Sequence, residues 1–416
     1  MEQPPGFVAL DSSSYVCKLH KSLYGLKQAP RAWYDQLYTS LLSLGFQASQ
    51  SDTSLFILKV PHLVLILVYV DDIIITGPSS ATCQTIISKL GTQFPIKDLG
   101  PLHYFLGLEV HQTDHGIFLS QQKYALDLLS KAKMEGAKPC VTPIGSLKLD
   151  HTGPLLQNPT EYRSLAGALQ YLTWTRPDLS FAVNQVCQFM HTPRESHMQA
   201  VKRILRYLKG TVTDGLWFKK GHLNLVSYSD ADWAGCHFDR RSTSGYCVFF
   251  GPNLISWSAK KQPTVARSST EAEYRSLAIT AAELTWICKV LTDIGFSLHS
   301  TPLLWCDNIS AISLASNPVF HARTKHVELD YHYIRELVLS KALTVRYVCS
   351  QDQIADIHTK ALPKERFLLL KSKLSLRSPP LSLRGCKRTN MQPTKVTSTE
   401  DTCNPSHDSC KVGSNI

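Results

Sequence analysis

The chain has 416 residues, 43% of them hydrophobic, enough for roughly two or three domains with real cores. Its formal net charge of +11 favours a polyanionic partner such as nucleic acid, although basicity alone is weak support. The 12 cysteines show no CxxC pair and no clustered Cys/His spacing, which argues against a zinc finger or a disulfide framework and for reduced thiols inside a cell. The opening MEQPPGFVALDSSS lacks a charged-then-apolar signal pattern, and the apolar run at 63–70 is far too short to span a bilayer. Neither secretion nor membrane anchoring is expected.

Within residues 16–46, Pro30 suits the first turn of a helix, and Trp33, Leu37, Leu41 and Leu44 recur at helical spacing up to Gly45, a stop signal. Lys27, Gln28 and Arg31 put donors and positive charge near that helix start, a place suited to phosphates. The same pattern also describes an ordinary amphipathic helix with a polar lead-in. Residues 63–77, LVLILVYVDDIIITG, read as a buried strand, a tight turn at Asp71 and Asp72, and a second strand closed by Gly77 and Pro78. Two carboxylates this close on a buried rim repel unless a cation joins them, and Asp is also a common turn residue.

The stretches QPPGF, LYGLKQAPRAWY and YVDDIIITG, in this order, resemble the reverse transcriptase domain of copia-type LTR retrotransposons. The resemblance implies that Asp71 and Asp72 sit on the palm hairpin and hold catalytic magnesium. It also implies that Gln28, Pro30 and Arg31 lie near the incoming nucleotide and template. Members of this family carry a third aspartate upstream of QPPGF, whereas this sequence opens at Met1 beside that motif. The expectation is an incomplete polymerase site with little or no autonomous DNA synthesis, since magnesium demands ligands in strict octahedral geometry.

Downstream, DLGPLHYFLGLEV is strand-like, Gly116 marks a hairpin, and residues 120–134 read as a helix with Ser120 as cap. Residues 135–159 shift to Pro, Gly and Thr and read as a linker. Three helices follow over 161–211, and in the last Lys202, Arg206 and Lys209 form a basic stripe that is either a phosphate track or simply a solvated face.

From residue 225 the pattern is three strands, helix, strand, two helices, strand, helix, the order of a ribonuclease H fold. The first long helix, over SSTEAEYRSL, has Ser269 or Thr270 as its expected cap. Asp230 falls in the first strand, Glu273 on the first long helix, Asp307 directly after the fourth strand and Asp356 on the last helix. Taken singly, each has an ordinary role: a turn residue, a cap or a solvated helix position. Together they fall where such a fold gathers its acids. Carboxylates suit phosphodiester hydrolysis because two magnesium ions roughly 4 Å apart activate water and stabilise the leaving oxyanion.

SDADWAG, SSTEAEYRSL, WCDNISAISLA, RTKHVELDYHYIRE and QIADIHTKALP also resemble the ribonuclease H domain of copia-type elements. That implies two Mg2+ ions held by Asp230, Glu273, Asp307 and Asp356, and cleavage of RNA in an RNA–DNA hybrid. Glu273 is preferred to Glu271 because YRSLA follows it. His326, beside Arg323 and Lys325, is either an assistant in proton transfer or a surface histidine.

The fold class expected is α+β with an α/β portion: a partial reverse transcriptase palm and thumb (1–140), a linker and helical connection (141–222), a ribonuclease H-like mixed sheet with flanking helices (223–376), and a disordered tail (377–416). The expected partners are an RNA–DNA hybrid, template-primer nucleic acid and other retroelement polyprotein products, with no membrane. The competing expectation is an inert nucleic-acid-binding remnant.

Overall fold

The computed structural model describes residues 3, 6–8, 15–19, 23, 25–145, 149–316 and 328–379. The chain divides into two compact units, one built on residues 1–100 and the other on 101–291 and 296–387.

In the first unit, α1 (Ala29–Ser43) has Pro30 in its opening turn, where the missing proline N–H costs nothing. It stops ahead of Gly45, whose φ of 91° is a left-handed terminator. The strands β1 (Gln47–Ala48), β2 (Leu55–Leu58), β3 (Val64–Tyr69) and β4 (Asp72–Thr76) form an antiparallel meander in sequence order. Ser79 then caps α2 (Ser80–Gly91), its hydroxyl accepting from the Thr82 N–H. Leu37 and Leu41 of α1 and Ile86 and Leu90 of α2 pack on Phe56, Val64, Ile66 and Val68. Only alternate residues of β3 are buried, although the strand reads as apolar throughout. The strand expected to be buried is thus covered on one face, because both helices supply apolar groups to the same side.

The second unit contains two sheets. β5 (Tyr104–Phe105), β6 (Leu108–Thr113) and β7 (Gly116–Ser120) form hairpins before α3 (Gln122–Lys131). The cap of α3 is not the expected Ser120, which is buried in β7. Instead Glu109, from β6, accepts from the Lys123 N–H at 2.7 Å. Next come α4 (Pro159–Leu172), a short 3-10 turn at Pro177–Leu179, α5 (Ser180–Cys187), α6 (Glu195–Gly210) and β8 (Gly215–Phe218). Arg206 and Lys209 of the expected basic stripe donate to the carbonyls of Lys138 and Glu135, while Lys202 remains exposed.

The mixed sheet comes after β8: β9 (Leu225–Asp232), β10 (Thr243–Phe250), β11 (Asn253–Lys261), α7 (Ser269–Asp293), β12 (Leu303–Cys306), α8 (Ile309–Ser316), α9 (Glu328–Leu339), β13 (Thr344–Tyr347) and α10 (Asp356–Thr359). Its strand order is β11-β10-β9-β12-β13, with β9 to β11 antiparallel and β12 and β13 parallel to β9. This is the ribonuclease H-like arrangement. The Ser268 hydroxyl, one residue before the expected caps, accepts from the Glu271 N–H at the start of α7.

Alternation along β10 sorts the two faces. Tyr246 and Val248 join Tyr274, Leu277 and Ala281 of α7 in one core. Cys247 and Phe249 join Ala182 and Val183 of α5, together with Ile354 and Ile357, in the other. Finally α11 (Lys364–Lys373) leads to β14 (Leu376–Arg377), which pairs with β8 to complete the order β14-β8-β7-β6-β5. The breaks expected at 140/141 and 222/223 therefore fall inside one compact unit. β8 pairs with the late strand β14, and the α4 to α6 helices share a core with β10 of the mixed sheet.

A buried ion pair fastens this unit. Arg176 grips Asp178 through Nε at 3.0 Å and Nη2 at 2.8 Å, and donates to the Thr211 carbonyl at 2.8 Å. The Tyr207 hydroxyl donates to Asp178, and Lys371 of α11 lies 3.9 Å from it. Burial works to raise the Asp178 pKa, but the Arg176 guanidinium outweighs it and holds the acid below its usual range.

Candidate active site

Asp230 lies on the central strand β9 and is almost fully buried. Its register partner on β10 is Gly245, where a Cβ would come within 2.6 Å of Thr359 and 2.7 Å of His358. Glycine at this point lets α10 close onto the sheet, and with it come Asp356, Thr359 and Lys360. The Thr359 hydroxyl donates to Asp230 Oδ2, while Ser276 of α7 donates to the Asp230 carbonyl at 2.8 Å. Gln353 donates to the Ser229 carbonyl at 2.9 Å and fixes the approach to α10.

The four expected acids come together from four elements. Burial is the largest influence on Asp230 and pushes its pKa up to about 6; Lys360 and Thr359 pull it down, and Asp356 and Asp307 add to the rise. Glu273 is raised well above its ordinary value by burial, then by Asp230 and Asp307. Its Oε2 is buried and has no hydrogen-bond partner. Glu273, Cys306 and Asp307 offer ligand atoms within 4.8 Å of one another, the one such group among the described residues. Burial, with Glu273 nearby, raises the Cys306 thiol and keeps it protonated. A hard cation such as magnesium takes oxygen ligands, so the two carboxylates and not the sulfur define that position.

Glu271, the alternative to Glu273, pairs with Arg275 at 2.8 Å and accepts from the Arg267 N–H, also at 2.8 Å. It points into a local cap, whereas Glu273 points into the acid cluster.

Three groups escaped the sequence reading. Lys360 Nζ lies 2.9 Å from Asp356 Oδ1 and 3.4 Å from Asp230 Oδ2. Arg366 Nη2 lies 3.1 Å from Asp356 Oδ2. Asp232, two residues beyond Asp230, has its pKa raised by burial against the pull of Lys360. Helical spacing was the available signal for Lys360, one turn after Asp356. His326, with Arg323 and Lys325, lies outside the described residues.

The other carboxylate pair is different. Asp71 and Asp72 occupy the tip of the β3–β4 hairpin as expected, but both are exposed, not on a buried rim. Val70 adopts φ 54°, a region β-branched residues avoid, at a cost of about 1–3 kcal/mol. Trp33 Nε1 donates to the Val70 carbonyl at 2.8 Å, tying the first turns of α1 to the hairpin tip. Gln28, Pro30 and Arg31 are exposed at that helix start. No third ligand atom joins Asp71 and Asp72 among the described residues.

One unit thus carries a YVDD hairpin and the other an acid-centred, ribonuclease H-like sheet. Comparison with known proteins agrees. Residues 1–146 match the family described as reverse transcriptase (RNA-dependent DNA polymerase). The chain is 53% identical, over 91% of its length, to the retrovirus-related Pol polyprotein from transposon RE1 of Arabidopsis thaliana, covering 26% of that protein. It is 38% identical to the corresponding polyprotein from transposon TNT 1-94 of Nicotiana tabacum, over 91% of this chain and 29% of that one. A transposon Ty5-1 protein of Saccharomyces cerevisiae is 34% identical over 68% of this chain and 94% of its own length. Among solved structures, LC11-RNase H1 aligns with 33% of this chain and 92% of its own, at 14% identity and a TM-score of 0.27. The chain belongs to the Pol family of copia-type retrotransposons. It spans about a quarter of the length of the polyproteins it first matches. Among the described residues no helix is long and apolar enough to cross a membrane.

Proposed function

We propose that the mixed-sheet unit is a magnesium-dependent ribonuclease H that cuts the RNA strand of an RNA–DNA hybrid, with Asp230, Glu273, Asp307 and Asp356 as its metal-holding acids. The observation that carries this reading is the convergence of the four acids, with Glu273 Oε2 buried and unpartnered. A desolvated carboxylate oxygen facing other carboxylates is costly alone and is satisfied by a cation. Two magnesium ions, when bound, would supply an activated water and a partner for the leaving oxyanion. The residues do the positioning. Thr359 and Lys360 orient Asp230, Arg366 orients Asp356, and Ser276 fixes the strand carrying Asp230.

The test is cleavage of a labelled hybrid by the purified chain with magnesium. Glu273→Gln should lower the rate by more than about 100-fold, beyond the roughly 10–100-fold typical of outer-shell changes, and Glu271→Gln should leave it within that lesser range. Cleavage unchanged in both Asp230→Asn and Asp307→Asn would remove the assignment.

For the first unit the reading is a polymerase palm in which Asp71 and Asp72 hold magnesium and Gln28, Pro30 and Arg31 face the nucleotide and template-primer. The Trp33–Val70 hydrogen bond supports it, because it holds the helix start beside the hairpin tip. Primer extension by the chain alone is expected to be little or none, so the test is metal binding: Mn2+ bound by the first unit that is unchanged in Asp71→Asn together with Asp72→Asn would rule the reading out.

A further inference from the structure

Within the acid cluster the two sides are unequally satisfied. Asp356 has both carboxylate oxygens beside cations of the chain itself: Oδ1 is ion-paired with Lys360 at 2.9 Å, although like Glu273 Oε2 it accepts no well-directed hydrogen bond, and Oδ2 accepts from Arg366 at 3.1 Å. Asp230 Oδ2 takes the Thr359 hydroxyl and lies 3.4 Å from the same Lys360 ammonium. Glu273, by contrast, has a buried oxygen with no partner, and Asp307 is met by the neutral Ser350 hydroxyl at 3.2 Å.

We propose that Lys360 is a built-in cation occupying the Asp230–Asp356 side of the site, so that the resting protein takes one divalent ion readily on the Glu273–Asp307 side and a second only by displacing the ammonium. This rests on the metal-nuclease reading above and sharpens it. An ion bonded to Asp356 Oδ1 at about 2.1 Å would sit within roughly 5 Å of Nζ, so the two charges exclude one another in so sheltered a place. The backbone of α10 cannot relieve the conflict by moving away. It is clamped by the Gly245 approach, by the Thr359–Asp230 bond and by His358 Nδ1 on the Ser180 hydroxyl at 2.8 Å. The side chain can move, since it keeps 37% of its exposure and its stem reaches solvent. Lys360 is therefore a positioning residue that ties the second ion to a rearrangement, one that the negative charge of an arriving phosphodiester favours by drawing the ammonium outward.

The experiment is a titration with Mn2+, followed by the electron paramagnetic resonance signal of the free ion, on the full chain without nucleic acid, with Asp71→Asn and Asp72→Asn in every sample so that the hairpin carboxylates take no ion; native here means native at all other positions. The native protein should bind one Mn2+ per chain, with a second weaker by at least about 10-fold. In Lys360→Gln the second should tighten by about 10-fold or more, in the range by which neighbouring groups tune metal affinity. Lys360→Arg, which keeps the charge, should behave as native, and thermal melts of all three confirm folding. Two ions bound equally well by the native chain, or a second ion unaffected by Lys360→Gln, would overturn the proposal while leaving the nuclease reading intact. Absence of Mn2+ binding in the native chain and in Lys360→Gln would sink the nuclease reading, and this proposal with it.

Discussion

Asp230→Asn should make the metal-free protein more stable at neutral pH while abolishing cleavage. Moving from the ordinary 3.8 to about 6 corresponds, at about 1.4 kcal/mol per tenfold in the proton equilibrium, to roughly 3 kcal/mol by which ionised Asp230 is disfavoured in the fold. The sign comes from linkage. The folded value lies above the unfolded one, so the folded state binds the extra proton between them. Stability is fully present below about 3.8 and is lost as the pH rises through about 6. Asparagine keeps an oxygen for Thr359 but removes the buried charge. Loss of its pairing with Lys360 makes roughly 3 kcal/mol an upper value, and a gain of about 1–3 kcal/mol is expected at pH 7.5 with EDTA. Urea denaturation at pH 7.5 and at pH 4 reads it directly, since the gain should shrink towards nothing at the acid end. A variant less stable than native at pH 7.5, or equally stabilised at both pH values, would refute the reasoning.

Two further outcomes are expected from the packing. Asp178→Ala strips the partner from a fully buried guanidinium and should cost about 3–5 kcal/mol by urea denaturation; a loss below about 1 kcal/mol would show that Arg176 finds another route to satisfaction. A fragment of residues 223–376 should be poorly folded by near-ultraviolet circular dichroism, and one of 101–387 well folded, because α5 and α6 cover the Cys247 and Phe249 face of the mixed sheet. A cooperative, soluble 223–376 fragment would contradict that account.

The order of elements in the mixed sheet and the residue types of its acids were readable from the chain. Strand-end acids and a long helix leave local signatures in the sequence. The YVDD turn was equally plain. The features that escaped were non-local. Glu109 caps α3 from a neighbouring strand, and no capping pattern in the helix's own sequence signals that. The half-burial of β3 depends on which face the helices choose, and an all-apolar run does not encode it. The basic stripe of α6 read equally as a phosphate track or a solvated face, and neither reading foresees that Arg206 and Lys209 donate to the carbonyls of Lys138 and Glu135. The compact units part at 100/101 for a related reason: the composition change at 135–159 marks a surface-running segment, and the second unit's sheet and core continue across it.

Pairing of β14 with β8 has a kinetic consequence. The strand that closes the β14-β8-β7-β6-β5 sheet is made after the whole mixed sheet, yet its partner precedes that sheet. Such long-range closure must meet its entropy cost before any contact rewards it. Assembly of this unit should therefore wait for its last strand and not proceed stepwise as the chain emerges. Premature stops anywhere before Leu376 would leave an unpaired edge at β8, a surface prone to association with other chains.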